Sequence, residues 1–233
     1  MKTLSEIELQ IAEILKTDWK KRKGQKVPEA EDVQLGNDAV EIDGTVLYAD
    51  LEDSTGLVLG HKDWFAAEVY KCYLLAACEL IRNNGGTITA FDGDRVMAVF
   101  IGDAKNSDAA RCALQINYTV QKVINVKIKE RYKDTSYQLS QAVGIDTSSL
   151  FIARTGIRGS NDLVWVGKAA NYAAKLCNLR EGSYNIYITE DVFDRLNETS
   201  KLGGDPKRLM WEKVMWHDRG IAVYRSSWWW MPS

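Results

Sequence analysis

Two segments of the chain place carboxylates where strands are predicted to end. Asp50 closes the segment GTVLYAD at 44–50, and Asp94 lies in the turn of FDGDRVMAVF at 91–100. Because side chains alternate along a strand, Tyr48 and Asp50 face the same way, and pairing of the two segments would bring the carboxylates together. Neighbouring carboxylates need a cation to stay ionised, and oxygen ligands with room for phosphate oxygens suit Mg²⁺ or Mn²⁺. Taken singly, each aspartate is also a common turn residue.

Two further segments carry groups suited to phosphate and ribose. A turn directly after Asp50 precedes a predicted helix start, and its backbone N–H groups can face a polyphosphate. In VWVGKAANYAAKL at 164–176, Asn171 and Lys175 are four residues apart and share one helix face. An amide and a cation on that face can hold a ribose and neutralise a phosphate, although an Ala-rich packing helix is the alternative. The residues of the turn are Asp53, Ser54 and Thr55.

Helices interleaved with a largely antiparallel sheet are the predicted architecture, an α+β fold. Apolar residues at three- and four-residue spacing predict the helices, and β-branched and aromatic runs between turn residues predict the strands. An Asp-Gly pair between two such runs, at 92–93, predicts a hairpin. The predicted strands are 44–50, 87–91, 95–100, 139–145, 163–166, 186–189 and 221–224, and the predicted helices are 4–19, 63–83, 107–126 and 168–179.

The chain is predicted to consist of one main domain with two appendages. Residues 1–38 are interpreted as an N-terminal helix and a linker, in which the basic run 20–26 is a solvated stretch. The compact domain is expected over 39–225. The tail 226–233 holds three of the 8 tryptophans, and we expect it to dock on the domain or on a second subunit rather than to remain an exposed apolar patch.

Composition excludes several classes of function. The 30 basic and 32 acidic side chains give a formal net charge of −2, which argues against a nucleic-acid partner bound by bulk phosphate neutralisation. Apolar stretches are interrupted by charges, and the first ten residues are polar, so we expect a cytoplasmic protein without a membrane partner. The 4 cysteines form no CxxC pair, and 2 histidines are too few for a histidine-based metal cluster.

Together the three motifs resemble the catalytic domain of class III nucleotidyl cyclases, the adenylate and guanylate cyclases, over about residues 44–225. They stand here as DLEDST at 50–55, GDRVMA at 93–98 and GKAANYAAK at 167–175. The resemblance implies a palm-type, ferredoxin-like core. It also implies a reaction in which a ribose 3′-hydroxyl attacks the α-phosphorus of its own triphosphate and releases pyrophosphate.

The resemblance implies a role for each motif residue. Asp50 and Asp94 would ligate two divalent ions, Mn²⁺ or Mg²⁺, with the Leu51 carbonyl as a further ligand. Asn171 would orient the ribose, and Lys175 would stabilise charge on the reacting phosphate. Members of the family work as head-to-tail homodimers, so each site would combine metal ligands of one chain with the asparagine and the cation of the other.

Three departures from the family pattern bear on the substrate. Lys175 stands where the family usually has arginine, which keeps the charge and loosens the geometry. Ala90 and Val164 occupy the two positions that usually read a purine, and an apolar pocket there would leave purine polar groups unpaired, at about 1–3 kcal/mol each. A pyrimidine is therefore favoured, with Tyr48 as the residue expected to contact the base.

This combination resembles the bacterial pyrimidine cyclases of the anti-phage Pycsar system, whose cyclic UMP or cyclic CMP activates a separate effector protein. UTP is the favoured substrate, and no residue of this chain separates uracil from cytosine. Two alternatives stay open: a cytidylate or purine nucleotide cyclase, and an inactive cyclase-like module that binds nucleotide and regulates a partner. Retention of Asp50, Asp94 and Asn171 favours catalysis.

Overall fold

The computed structural model describes residues 2–232 and contains two compact units. The first unit combines the chain up to Asp43 with Ser149–Gly167. The second combines Gly44–Ser148 with the chain from Lys168 onward. The boundaries expected from the sequence, at 38/39 and 225/226, stay predictions.

The first unit begins with helix α1 (Leu4–Lys16), whose start is closed by a reciprocal capping box between Thr3 and Glu6. Strand β1 (Lys20–Lys23) then pairs in parallel with the first four residues of β2 (Asp38–Leu51). Trp19, between α1 and β1, packs edge-on against Phe151, with 4.9 Å between ring centroids. A 3₁₀ turn at Ala30–Asp32 separates β1 from β2.

The basic run was expected to be a solvated stretch of linker; the structure confirms its exposure and corrects its conformation, because residues 20–23 form a strand. All four residues of β1 are exposed, yet the backbone belongs to a sheet. Ion pairs across the two strands explain the difference, because Arg22 lies 2.7 Å from Asp38 and Lys23 lies 2.8 Å from Glu41. Gly24 continues this close approach, since a Cβ at that position would lie 2.5 Å from the Val40 side chain.

The first unit also contains the end of β5 (Gln141–Ile157), which forms an antiparallel hairpin with β6 (Ser160–Val166). In the second unit, five further strands join β2 and β5 in one sheet. They are β3 (Thr87–Asp92), β4 (Arg95–Phe100), β7 (Ile186–Thr189), β10 (Glu212–Trp216) and β11 (Ile221–Ser226). The strand order is β10-β11-β7-β5-β2-β4-β3.

This sheet is mixed and largely antiparallel. Strands β5 and β7 pair in parallel, whereas β2 with β4, β3 with β4, β7 with β11 and β10 with β11 are antiparallel pairs. The predicted α+β class is therefore confirmed. Strand β10 was not predicted, because four of its five residues are exposed or half-buried and its segment lacks a clear apolar alternation.

Helices flank this sheet in the second unit. Helix α3 has the bounds expected from its apolar spacing, and the helix expected at 107–126 is longer, because α4 continues through a π-helical turn at Val120–Ile124 into α5. Within residues 2–232, no helix combines the length and the apolar character needed to cross a bilayer. The helices are α2 (Ser54–Gly60), α3 (Asp63–Asn83), α4 (Lys105–Thr119), α5 (Asn125–Arg131), α6 (Lys168–Leu176), α7 (Glu190–Asp194) and α8 (Glu198–Lys201). A small hairpin of β8 (Leu202–Gly203) and β9 (Arg208–Leu209) follows α8.

The tryptophan-rich tail docks on helix α4 of its own chain. The Asn117 side-chain amide donates to the Ser227 and Trp228 carbonyls at 3.2 and 2.8 Å. The Trp230 N–H donates to the Leu114 carbonyl at 3.0 Å. Of the two docking modes expected from the sequence, the structure shows the one on the same chain.

Candidate active site

The carboxylates predicted to converge lie at the same end of the sheet. Asp50, near the end of β2, stands opposite Arg95 at the start of β4, so Asp94 lies one residue beyond that pair. Asp50 is 8% exposed. Oxygen Oδ2 of Asp94 is buried and has no hydrogen-bond partner. An acceptor in this state is available to a donor or a cation.

Guanidinium groups hold Asp50 in place. Arg95 donates from Nη2 to Asp50 Oδ2 at 3.0 Å, and Arg180 Nη2 lies 3.9 Å from the same oxygen. The hydrogen bond to Asp50 raises the pKa of Arg95. Arginine therefore supplies the positive charge beside the Asp50 carboxylate.

The sequence analysis missed both arginines. The position of Arg95 carried a usable signal, because it directly follows Asp94 and lies two residues from Met97, on the same strand face. Arg180 gave no signal, because it follows the end of α6 outside any motif. It reaches the site from that segment, with Nε 3.4 Å from Glu52 Oε1.

These residues fit a divalent ion held partly by the substrate. Among residues 2–232, no group of three or more His, Cys, Asp and Glu side chains is gathered as a complete metal site. Asp50 and Asp94 supply carboxylate oxygens, and the buried Leu51 could add its carbonyl. The remaining ligands would be water and phosphate oxygens, the pattern that Mg²⁺ adopts with nucleotides.

Two residues before the Asp50–Arg95 pair, a second set of side chains lies across the strands. Tyr48 stands opposite Met97, and Met97 stands opposite Ala90, so the three share one sheet face across β2, β4 and β3. Tyr48 and Ala90 are therefore about 10 Å apart, two strand spacings. Burial raises the pKa of Tyr48, so its hydroxyl stays protonated and can donate. The Arg95 guanidinium carbon lies 5.9 Å from the Tyr48 ring centroid.

The turn after Asp50 is shorter than predicted, because helix α2, which the sequence did not reveal, begins at Ser54 with Thr55 as its second residue. Asp53 caps this helix from a left-handed conformation with φ of 53°, and its carboxylate accepts the Gly56 N–H at 3.1 Å. One N–H group of the turn is thus already engaged. Phosphate contact by Asp53, Ser54 and Thr55 stays a prediction.

Helix α6 presents the predicted amide and cation on its exposed side. Asn171 and Lys175 are both exposed and one turn apart, while the opposite side is buried. That buried side packs very closely on β5, because a Cβ at Gly144 would lie 2.1 Å from the Ala173 carbonyl oxygen. The helix therefore combines the packing role weighed as the alternative with an exposed polar face.

The start of α6 is anchored by a buried carboxylate that the sequence did not reveal. Lys168 forms an ion pair with Asp191 and lies 3.7 Å from Asp146 Oδ1. Thr189 donates to that Asp146 oxygen at 2.5 Å. Burial raises the pKa of Asp146. An aspartate inside an apolar strand carries no spacing signal, so only the fold identifies its partners.

Val164 belongs to the first unit. It lies on β6 opposite Ala153 and is 40% exposed. Its expected part in reading the base stays a prediction.

Relatives that are 43–48% identical over nearly the whole chain are named uridylate cyclases. The chain is 48% identical over 220 residues to the uridylate cyclase of Xanthomonas perforans, covering 94% of each chain. It is 46% identical over 222 residues to that of Burkholderia cepacia, covering 94% of this chain and 95% of the relative. For the uridylate cyclase of Rhodovulum sp. (strain MB263), identity is 43% over 232 residues, 97% of each chain. No family model matches the chain.

Solved structures agree on the fold. The guanylyl cyclase Cya2 superposes with a TM-score of 0.67 at 17% identity, over 82% of this chain and 95% of that chain. The adenylyl cyclase CyaB from P. aeruginosa superposes with a TM-score of 0.63 at 20% identity, over 81% of this chain and 95% of that chain. The fold is thus that of the class III nucleotidyl cyclase catalytic domain. Within that class, the chain belongs to the uridylate cyclase family, and it is a nucleotidyl cyclase.

Proposed function

We propose that this protein converts UTP to 3′,5′-cyclic UMP and pyrophosphate. The ribose 3′-oxygen forms a bond to the α-phosphorus, the bond from that phosphorus to the pyrophosphate oxygen breaks, and the 3′-hydroxyl loses its proton. The observation that carries the proposal is the pair of strand-end aspartates, with Asp94 Oδ2 buried and unpartnered, in a chain 48% identical to a uridylate cyclase.

Residues of this chain would divide the work as follows. Asp50, Asp94 and the Leu51 carbonyl bind two divalent ions, Mn²⁺ or Mg²⁺. When bound, such ions lower the pKa of an attacking hydroxyl and stabilise a leaving pyrophosphate. Asn171 orients the ribose, and Lys175 stabilises the charge that develops on the non-bridging oxygens, a contribution of several kcal/mol when the cation is preorganised.

Asn171 and Lys175 act from the second subunit of a homodimer in this proposal. Their exposure on α6 supports that arrangement, because a partner's substrate can reach them. Mixing Asp50→Ala protein with Lys175→Ala protein tests it. Recovered activity supports active sites that are built from both subunits. Absence of activity at every mixing ratio contradicts them.

The row of Tyr48, Met97 and Ala90 supports a pyrimidine as the base. A protonated Tyr48 hydroxyl can donate to a uracil carbonyl, whereas Ala90 offers no polar group to a purine. The test is to incubate the protein with each of the four ribonucleoside triphosphates and Mn²⁺ and to identify the products by mass spectrometry. Cyclic UMP should dominate. Preferred conversion of ATP or GTP would contradict the base assignment, and binding without turnover would favour the regulatory module.

We also propose that cyclic UMP serves as a second messenger, read by a separate effector in bacterial anti-phage defence. The support is the resemblance to pyrimidine cyclases of that system, together with the bacterial uridylate cyclase relatives. Phage plating on cells that express the protein with its neighbouring effector tests the role. Protection should disappear with Asp50→Ala, and equal protection by both forms would contradict a cyclase-dependent defence.

A further inference from the structure

Helix α1 carries an apolar stripe that the chain itself leaves uncovered. Leu4, Ile7, Ile11 and Ile14 recur at three- and four-residue spacing on one side. Each is exposed, and none of the 13 residues of α1, all of them described, is buried. Such a stripe gains stability when a complementary surface covers it.

The helix is nevertheless held firmly at its C-terminal end. Asn37 donates from Nδ2 to the Ile14 carbonyl at 2.8 Å and to the Thr17 carbonyl at 2.6 Å. Strand β1 begins three residues later, and Trp19 packs on Phe151. The stripe is therefore displayed on an anchored helix rather than on a loose terminus, which lowers the ordering entropy that binding would cost.

The second unit has an apolar groove of about 510 Å³ between α3 and the π-turn–α5 segment. Leu75, which lines it, is 65% exposed, and Val123 is exposed on the opposite wall. Along α3 the groove extends from Phe65 to Ala76. Those eleven residue steps span about 16 Å, and the ten steps of the stripe from Leu4 to Ile14 span about 15 Å. Stripe and groove therefore match in length.

The charges of helix and groove are also complementary. Helix α1 contains Glu6, Glu8 and Glu13 against a single lysine, Lys16. The charged groups lining the groove are Lys71, Lys127, Arg131 and Glu68, and the Glu68 carboxylate already accepts a hydrogen bond from Tyr132. Lys127 also pairs with Glu130 at the rim, at 2.7 Å.

We propose that the α3/α5 groove of one copy receives helix α1 of a second copy. Each copy provides one helix and one groove, so two copies can exchange helices and bury both stripes. The amphipathic-helix-in-groove contact supplies the apolar cover that α1 lacks. This interface involves none of the residues assigned to catalysis, so it stands or falls independently of the proposed reaction.

A native thiol allows a direct test. Cys72 lines the groove and is exposed, whereas Cys112 and Cys177 are buried. A tagged copy carrying Ile11→Cys and Cys72→Ser is coexpressed with an untagged copy that keeps Cys72, with the half-buried Cys78 changed to Ser in both. Mild oxidation should yield a disulfide-linked dimer containing one tagged and one untagged chain.

Three controls make the result decisive. The mixed dimer should vanish when the untagged copy also carries Cys72→Ser, and its yield should fall at least tenfold when Leu9→Cys, on the opposite side of α1, replaces Ile11→Cys. Leu75→Glu in the untagged copy should reduce it similarly, with unchanged thermal unfolding as the folding check.

Two outcomes would overturn the proposal. One is the absence of a Cys72-dependent mixed dimer, or equal yields from Ile11→Cys and Leu9→Cys. The other appears in a single chain that carries Ile11→Cys together with Cys72: a disulfide formed within the monomer would assign the groove to the chain's own helix.

Discussion

Two buried aspartates on neighbouring strands of the second unit differ in what surrounds them. Asp50 lies at the end of β2 and is held by guanidinium groups of Arg95 and Arg180. Asp146 lies within β5 and is 0% exposed. One of its oxygens accepts from Thr189, the other has no hydrogen-bond partner, and Lys168 is 3.7 Å away.

Burial alone therefore does not mark a carboxylate as functional. The Asp50 carboxylate sits near the end of β2, and its present counter-charges come from side chains that are a quarter exposed. They can move toward solvent when another cation arrives. The Asp146 carboxylate is enclosed, and burial raises its pKa. We interpret Asp146 as an anchor for the start of α6.

The sharpest contrast is expected between Asp50→Asn and Asp146→Asn. Asp50 is the proposed metal ligand, so Asp50→Asn should lower the rate of cyclic UMP formation at least about 10³-fold, or about 4 kcal/mol. Asp146→Asn should stay within about tenfold of the wild type, because the amide keeps the shape and can accept from Thr189. Initial rates with UTP and Mn²⁺ measure both. Equal losses of activity in the two variants would contradict the assignment of a catalytic role to Asp50 and a structural role to Asp146.

The two lysines of α6 extend the same contrast. Lys175→Ala should lower kcat about 10²-fold, by removing a preorganised cation from the transition state. Lys175→Arg should retain most of the activity, since charge at that position is the requirement. Lys168→Ala removes the anchor beside Asp146. It should lower the melting temperature and leave kcat nearly unchanged. Kinetics and thermal unfolding of the three variants separate the roles, and a kcat loss confined to Lys168→Ala would reverse the assignment.

Sequence reasoning recovered the strand-end aspartates because alternation and the hairpin signal determine which residues face each other. The pairing of β2 with β4 places Asp50 and Asp94 at the same end of the sheet, and their convergence on a shared ligand stays a prediction. The Arg180 contact could not be predicted, because it depends on the path of the chain after α6. Strand β1 was also missed, since four consecutive basic residues carry no alternation of burial. Cross-strand partners stabilise it, and those are visible only in three dimensions.

Metal binding without nucleotide provides a smaller and independent measure. Mn²⁺ should raise the melting temperature of the wild type by a few degrees, since a ligand that binds the folded state stabilises it. Asp146→Asn should respond equally, whereas Asp50→Asn should not respond. Differential scanning fluorimetry measures the melting temperature over a series of Mn²⁺ concentrations. Addition of a chelator should reverse the shift. A full response of Asp50→Asn would show that this carboxylate is not a metal ligand.

The smallest expected effect is the pH dependence contributed by Asp146. Its pKa is raised in the folded protein, so the folded state keeps the proton to a higher pH than the unfolded chain does. Between the unfolded pKa, about 3.9, and the raised folded value, the folded state binds more protons, and the free energy of unfolding therefore falls as pH rises. Asp146→Asn removes this dependence. Urea unfolding from pH 4 upward should show a wild-type curve that declines relative to Asp146→Asn and then runs parallel to it. Parallel curves throughout that range would mean that Asp146 ionises in the folded protein as it does in the unfolded chain.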